Sequence, residues 1–494
     1  MKSIFYSLLS AVCLADQGPG FGMSVNQAGI NTAVSIVTPI IFENLKDITL
    51  PEIDFDGGSL SNVDIKVPPP TSYDDITLTL ENAGNDMDFV ANKLSAKLTC
   101  DFKYKFGITV TGKANINIKK MNLDMAVAFS TQTGNPSFEL APKLDVSKIN
   151  VAINPDDIDI TLSGSLVSKI ASVFIPLFKS TLIPMIVNDL EDQVKTIVDK
   201  TLDHALATNG TQAVIPYLAG VTFDFAQMAG GPQISTDQVF SMVLNGTFFD
   251  AEDVKPSAYT PATWSSRDPK GKMFQGYITD YTLNTAFESG FQTGNNLDLT
   301  YLLQEFLNVT VTTDQLGLVI PEFVTKYGAG KAVAISGMFT KAACETTFSP
   351  DGQTLDGNLR VTIEVDNEVA LIAEFNDFSA QGKIYTQSGS VFGNIAKSSV
   401  GTLGANFTTT LGLTADDILS DVQSEVDTQI AAINKQLAAG IVVPSIRGID
   451  LSDFELDFFK GYLEFGMSIE ASFWDYMIPF ETIFPESEEI IIIQ

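Results

Sequence analysis

The stretch Phe102-Lys103-Tyr104-Lys105-Phe106-Gly107-Ile108-Thr109-Val110 alternates apolar and polar side chains, the period of a β-strand whose two faces meet different surroundings. Short alternations of this kind dominate from Ile76 to Phe129, which predicts a half-buried antiparallel sheet. A sheet with one apolar face needs a cover, and helical spacing appears on both flanks. Upstream, Gly29 to Lys46 sets Ile30, Ala33, Val34, Val37, Ile41 and Leu45 three and four residues apart, with Pro39 as a kink. Downstream, Leu166 to Leu206 carries Ile170, Val173, Leu177, Ile183, Ile186, Leu190 and Val194 along one stripe, a long helix bent at Pro176 and Pro184.

The same order then recurs. Val214 to Phe249 is strand-like, and Asp250 to Lys272, with Pro256, Pro261 and Pro269 and no periodicity, reads as the linker between halves. After it come a short apolar-faced helix at Gly276 to Gly290, strands from Leu299 to about Phe407, a long helix from Ala415 to Leu437, and a closing strand pair at about Ile449 to Phe473. The long helix turns Ile418, Leu419, Val422, Val426, Ile430 and Ile433 to one side. Two rounds of helix, sheet, long helix and strand predict an α+β chain made by duplicating one curved-sheet unit. The expected parts are a barrel at 16–213, central strands and linker at 214–272, and a second barrel at 273–494.

Bulk composition narrows the function. A chain of 494 residues exceeds one ordinary core. Charged residues are only 18% while Phe contributes 34 positions, against about 25% charged in typical soluble domains. Residues 1–230 hold 16 Lys/Arg against 25 Asp/Glu, and the remainder 13 against 35, so the net charge of −31 divides as −9 and −22. Such acidity argues against a nucleic-acid partner, which needs a basic face. Lys2, the apolar run Ile4 to Leu14, and Ala15 before Asp16 have signal-peptide layout, with cleavage expected after Ala15 and a secretory route ending outside the cell or in a vacuolar or lysosomal lumen. Sequons begin at Asn209, Asn245, Asn308 and Asn406 as candidate glycosylation sites. Cys13 leaves with the signal peptide, and Cys100 and Cys344 fall in different halves, so no disulfide is expected.

Motifs of catalysis and metal binding are missing. His204 is the one histidine, there is no His-Glu-x-x-His, Cys-x-x-Cys or Gly-x-Ser-x-Gly pattern, and Gly328-Ala-Gly-Lys331 lacks the spacing and hydroxyl of a phosphate loop. Glu52, Asp54, Asp56 and Gly57 mimic the start of a calcium loop, but Val63 stands where a bidentate carboxylate is needed, so the segment reads as a turn between strands. No enzyme, cofactor or metal is expected.

Three groups of residues resemble a known family. Asn26, Gly29, Ile30 and Ala33 resemble its opening helix. Val221-Thr-Phe-Asp-Phe225, Val243-Leu-Asn-Gly-Thr-Phe-Phe249, the Pro-containing linker, Met273 to Tyr281, and Asn284-Thr-Ala286 resemble its central segment. Gly440-Ile-Val-Val-Pro444, Asp450-Leu451 and Tyr462-Leu-Glu-Phe-Gly466 resemble its exit from the last helix and its closing strands. On these the chain resembles the bactericidal/permeability-increasing, lipopolysaccharide-binding and cholesteryl-ester-transfer family. The resemblance implies an elongated boomerang of two barrels sharing a central sheet, with one apolar lipid pocket per half. It departs at two points: the long helix Leu166 to Leu206 lacks the cysteine that commonly ties it to a strand, and the N-terminal half is acidic where antibacterial members are basic.

Inner helix faces then become candidate lipid-binding residues: Ile30, Val34, Val37, Ile41, Val173, Leu177, Ile186 and Leu190 in the first half, and Tyr277, Tyr281, Leu419, Val422, Val426 and Ile430 in the second. The competing reading of each stripe is plain core. Between Lys93 and Lys120 seven lysines meet one acid, Asp101. Lys97, Lys103 and Lys105 are candidates for contact with anionic membranes, or ordinary strand lysines facing water. The implied partners are a phospholipid or similar amphiphile and, transiently, a membrane or lipoprotein surface, with the protein a monomer. The alternatives are a membrane-active defence protein and a ligand-free structural glycoprotein.

Overall fold

The computed structural model describes residues 19–470 apart from 46–47, 71, 83–84, 135–139, 165–170, 173–174, 197–211, 215–219, 225, 227–230, 254, 256, 263–270, 295, 302–303, 305–309, 341–342, 388–389 and 443–448. The expected signal peptide, Val173, His204, Asn209 and Asn308 lie outside the described residues, as do the side chains of Val37 and Ile41.

The first half runs β1 (Phe21–Asn26), α1 (Gln27–Leu45), β2 (Ile48–Leu50), β3 (Ile53–Phe55), β4 (Gly58–Lys66), β5 (Ile76–Glu81), β6 (Asp86–Phe106), β7 (Ile108–Thr133), β8 (Leu140–Ile153), β9 (Ile158–Gly164) and α2 (Ile183–Thr196). Between the halves lie β10 (Gln212–Val214), β11 (Val221–Asp224), β12 (Gln233–Ile234), β13 (Val239–Leu244) and β14 (Thr247–Asp250). The second half begins with β15 (Phe274–Thr279), α3 (Asp280–Thr293), β16 (Leu297–Asp298), α4 (Thr313–Val319), α5 (Glu322–Tyr327), β17 (Val333–Phe339) and β18 (Glu345–Ser349). It continues with β19 (Gly352–Val365), β20 (Glu368–Gln387), β21 (Ser390–Ser399), β22 (Thr402–Leu403), β23 (Thr408–Thr409), α6 (Ala415–Ala439), β24 (Ile441–Val442), β25 (Ile449–Phe459) and β26 (Tyr462–Ile469).

Each half is a curled antiparallel sheet. The first follows the order β2-β4-β6-β7-β8 and the second β16-β17-β19-β20-β21-β24. Strand β7 pairs with β9 through Gly112–Ile118 and with β8 from Met121 onward, so it changes neighbours midway along its length. A third sheet, β12-β13-β1-β15-β26-β25, takes strands from both ends and the middle of the chain. Its centre is β1, which the sequence reading leaves unassigned. Alternation holds in detail on β6, where Leu94, Ala96, Leu98, Cys100 and Phe102 are buried and Ser95, Lys97 and Thr99 are exposed.

Four local expectations need correction. The stretch from Leu299 to about Phe407, expected as strands, includes the helices α4 and α5 ahead of β17. The opening stretch is a hairpin tip and not one strand: Gly107 has φ +70° and turns the chain, so Phe106 faces Ile108 across the ladder. The helix expected from Gly276 begins at Asp280, capped by Thr279, whose hydroxyl accepts from Thr282 N. Gly276 to Thr279 belong to β15, which pairs with both β1 and β26, and the missing side chain at Gly276 makes room for the Phe465 ring, which a Cβ there would meet at 2.4 Å. Between Pro176 and Pro184 the helix is a π-turn, Phe178–Leu182, and not a simple bend. Pro184 removes the N–H that would serve Ser180, and the wider turn absorbs the loss.

The expected linker is partly fastened. Glu288 of α3 accepts hydrogen bonds from Ser257 Oγ (2.6 Å) and Ala258 N (3.3 Å). Lys272 bonds to Asp453 and, at 3.2 Å, to Glu455, which ties the start of β15 to β25.

Candidate functional site

Each half closes its sheet with a helix that carries a strand's missing hydrogen-bond partners. On α1, Gln27 donates to Leu78 O (2.6 Å) and accepts from Leu80 N (2.8 Å), so its amide pairs with the edge of β5. On α3, Asn284 makes the same two bonds to one residue of β18, Thr346 O (2.9 Å) and Thr346 N (2.6 Å). The long helices repeat the device. Glu191 of α2 accepts from Val151 N (2.7 Å) and Lys195 donates to Val146 O (3.2 Å), both on β8. On α6, Asn434 brackets Ile395 of β21 (2.7 and 2.9 Å) and Gln423 accepts from Val400 N (2.9 Å). An edge strand left open would pair with another chain or with water, and these side chains block both. None of these residues is among the sequence-derived site candidates, and Asn284 enters only through the family resemblance; the signal for Gln27, Glu191, Gln423 and Asn434 is a polar residue on a stripe that is otherwise apolar.

The apolar stripes meet different fates in the two halves. Ile30, Ile186 and Leu190 are buried, Ile186 to 2% exposure, and with Phe42, Phe178, Leu182, Ile183 and Val194 they join one continuous core with the sheet; Val34 packs against it. Leu177 is half-buried. On α6, Ile418 and Leu437 are buried, but Leu419, Val422, Val426 and Ile430 between them are only half-covered and Ile433 is 39% exposed. Two neighbouring residues of β20 are open too: Ile384 is 41% and Tyr385 46% exposed, with Tyr385 stacked on Phe392 at 5.7 Å. From Leu419 to Ile433 the open stripe is about 21 Å long at about 1.5 Å per residue.

The two tyrosines do not belong to that stripe. Tyr277 is a strand residue of the central sheet, buried against Gly22 and the Tyr462 ring. Tyr281 lies on α3, also buried, and its hydroxyl meets Thr247 Oγ1 at 2.7 Å, with burial pushing the phenol up to about 12. Tyr277 is therefore not on the expected helix, because tertiary pairing through β15 takes it into the sheet, while Tyr281 keeps its place on a helix.

Four of the seven lysines between Lys93 and Lys120 meet acids: Lys93 with Asp75, Lys113 with Asp101, Lys119 with Asp159 and Lys120 with Asp157. Lys97, Lys103 and Lys105 are exposed and make no ion pair among the described residues. Lys103 and Lys105 lie on β6 just before the Gly107 tip, where Ile108 is 56% exposed.

Of the described sequons, Asn406 is exposed, its Nδ2 donating to Glu374 at 2.7 Å. Asn245 is placed differently. It is buried, its Nδ2 donates to Asp224 at 2.5 Å, and its Oδ1 accepts from the sequon's own Thr247 at 2.9 Å. Cys100 and Cys344 are free and buried, which raises their thiols to about 12 and about 11. The acid-rich segment at Asp54 to Gly57 is the β3–β4 turn, with Gly57 at φ +88°. Among the described residues no group of acids, His or Cys is arranged to hold a metal, and no helix is long and apolar enough to cross a membrane.

Residues 220–471 match the family model described as LBP / BPI / CETP family, C-terminal domain. A bactericidal permeability-increasing protein of Sebastes schlegelii is 21% identical over 387 residues, covering 74% of this chain and 76% of that protein. Among solved structures, a lipopolysaccharide binding protein aligns over 92% of this chain and 99% of its own at 16% identity and a TM-score of 0.46. Takeout 1 of Epiphyas postvittana aligns over 38% of this chain and 94% of its own at 11% identity and a TM-score of 0.27. With over half of its length inside the family model, the chain belongs to the LBP / BPI / CETP family of lipid-binding and lipid-transfer proteins.

Proposed function

We propose that the protein is a secreted, non-enzymatic carrier that takes up phospholipid or a similar amphiphile by burial, with the acyl chain laid along the half-covered stripe of α6. The observation that supports this reading is the run Leu419, Val422, Val426 and Ile430, apolar at helical spacing yet left part-exposed between two buried ends. Covering sixteen methylenes at about 0.8 kcal/mol each releases on the order of 12 kcal/mol gross, enough to hold a lipid without covalent chemistry. In the first half the matching stripe is filled by its own sheet, so a second lipid there requires α2 to move outward from β8. Organic extraction of the purified protein followed by lipid mass spectrometry tests the reading, with Ile430→Trp as the probe of place. Bound lipid in the parent and loss of it in Ile430→Trp, with folding retained, is the expected result. Absence of lipid from the parent, or full occupancy in the variant, refutes it.

A second reading, a membrane-active defence protein, draws support from the tip alone: Lys103 and Lys105 without acid partners beside the exposed Ile108. Binding to anionic vesicles that falls steeply between low and physiological salt, and that Lys103→Glu/Lys105→Glu abolishes, favours it over the carrier.

A further inference from the structure

A groove of about 670 Å³ opens on the outer side of the first half where the pairing of β6 with β7 slips and β8 ends. The register of β6 against β7 slips twice between Ala91 and Ala96, and β8 ends there in Asn154 and the short turn Pro155–Asp157. Lys93, at the slip, has φ +57°, a conformation that side-chain-bearing residues seldom adopt. The groove lies fourteen residues along β6 from Gly107, about 45 Å at about 3.3 Å per residue. It is thus separate from the lysine tip, and also from the stripe of α6.

What lines the groove is ordered as donors and acceptors. Asn122 accepts Lys93 N through Oδ1 at 3.1 Å, and Asn154 accepts Asp156 N through Oδ1 at 3.0 Å. With both amide oxygens committed to the backbone, the NH₂ ends are what these two residues hold out to a ligand, and both are donors. Two ammonium groups stand beside them, Lys93 on Asp75 at 2.6 Å and Lys120 on Asp157 at 3.9 Å. Exposed pairs of this kind contribute little to stability and exchange partners readily. Two cations and two anions leave the groove balanced inside a protein of net charge −31, whose field repels a bare anion.

We propose that this groove binds a zwitterionic group bearing a phosphate and an ammonium a few bonds apart, as in phosphocholine or phosphoethanolamine. The phosphate takes Lys93, Lys120 and the two amide NH₂ groups, and the ligand's ammonium replaces the lysines at Asp75 and Asp157. A ligand with both charges satisfies all four side chains, whereas phosphate alone strands the two carboxylates. The site is independent of the lipid stripe, so failure of either leaves the other standing.

The test is titration calorimetry and saturation-transfer NMR on the whole mature protein with phosphocholine, choline, inorganic phosphate and maltose as probes. Phosphocholine is expected to bind at least tenfold more tightly than choline or phosphate, with Lys93→Gly and Asn122→Ala each weakening it tenfold or more. Lys93→Gly suits the left-handed backbone and so preserves the fold. Lys331→Ala, which removes the pair with Asp366 in the second half, is the unchanged control. Phosphatidylcholine vesicles distinguish the source: binding that free phosphocholine competes away assigns a membrane surface, and binding of free phosphocholine alone assigns a soluble zwitterion. Equal affinity for inorganic phosphate, preference for maltose, or unchanged affinity in both groove variants overturns the proposal.

Discussion

Replacing Asn434 by Leu tests whether the long helix of the second half is held by hydrogen bonding to its strand or by packing alone. The amide serves both backbone groups of Ile395, at 2.7 Å to the N–H and 2.9 Å to the carbonyl, in a part-buried setting. Leucine keeps the volume and adds to the apolar stripe but leaves that N–H and C=O without partners. Each such bond contributes about 0.5–1.5 kcal/mol net, so the pair accounts for roughly 1–3 kcal/mol. At about 2–4 °C per kcal/mol for a unit of this size, the midpoint should fall by roughly 2–12 °C. Hydrogen exchange locates the effect, because Ile395 N–H should lose protection while Ala373 and Leu371 on β20 keep theirs. Gln423→Leu should repeat the pattern more weakly at Val400, where a single bond is lost. An Asn434→Leu protein that melts at or above the parent temperature with Ile395 still protected refutes the reasoning, and the helix is then held by its apolar face.

Other outcomes follow from single groups. Ile186→Trp, in a filled core, should cost about 1–3 kcal/mol by overpacking, while Ile430→Trp on the half-open stripe should cost less; equal losses on thermal melting would show that the halves are packed alike. Burial raises the Asp224 carboxyl, with Ala226 N and Asn245 Nδ2 opposing the shift, so the folded chain holds this proton more tightly than the unfolded one. Its contribution is fully present below the ordinary Asp range near about 3.9 and is lost as pH rises through the elevated value; the difference in stability between parent and Asp224→Asn should therefore slope in that direction between pH 4 and 7, and a flat difference refutes it. Gly22→Ala should prevent stable folding of the central sheet, since the new Cβ would lie 2.1 Å from the Tyr277 ring; a soluble variant with parent-like melting contradicts the register. Cys100 and Cys344 should resist thiol reagents at pH 8 until the protein is denatured, as buried thiols held near 12 and 11 carry almost no thiolate, and fast labelling of the native protein would count against their placement.

The sequence by itself determined the class of the protein. Period-two alternation on β6 and three- and four-residue spacing on α1, α2 and α6 record which faces are apolar, and that record is local, so sheets, helices and their twofold repetition can be read without coordinates. The family follows from motifs in the same way. What periodicity does not record is what lies against a face. Ile186 and Ile430 carry the same spacing signal, yet one is sealed by its sheet and the other stands half-open. Tyr277 carries a helical pattern but is claimed by β1 and β26, hundreds of positions away along the chain. Asn245 has a glycan-acceptor motif, yet its side chain is buried and bonded to Asp224. The amide clamps at Gln27, Asn284 and Asn434 depend on pairings between residues 39 to 62 positions apart. Burial and hydrogen-bond partners are properties of neighbours in space, and for this chain only the tertiary structure names the neighbours.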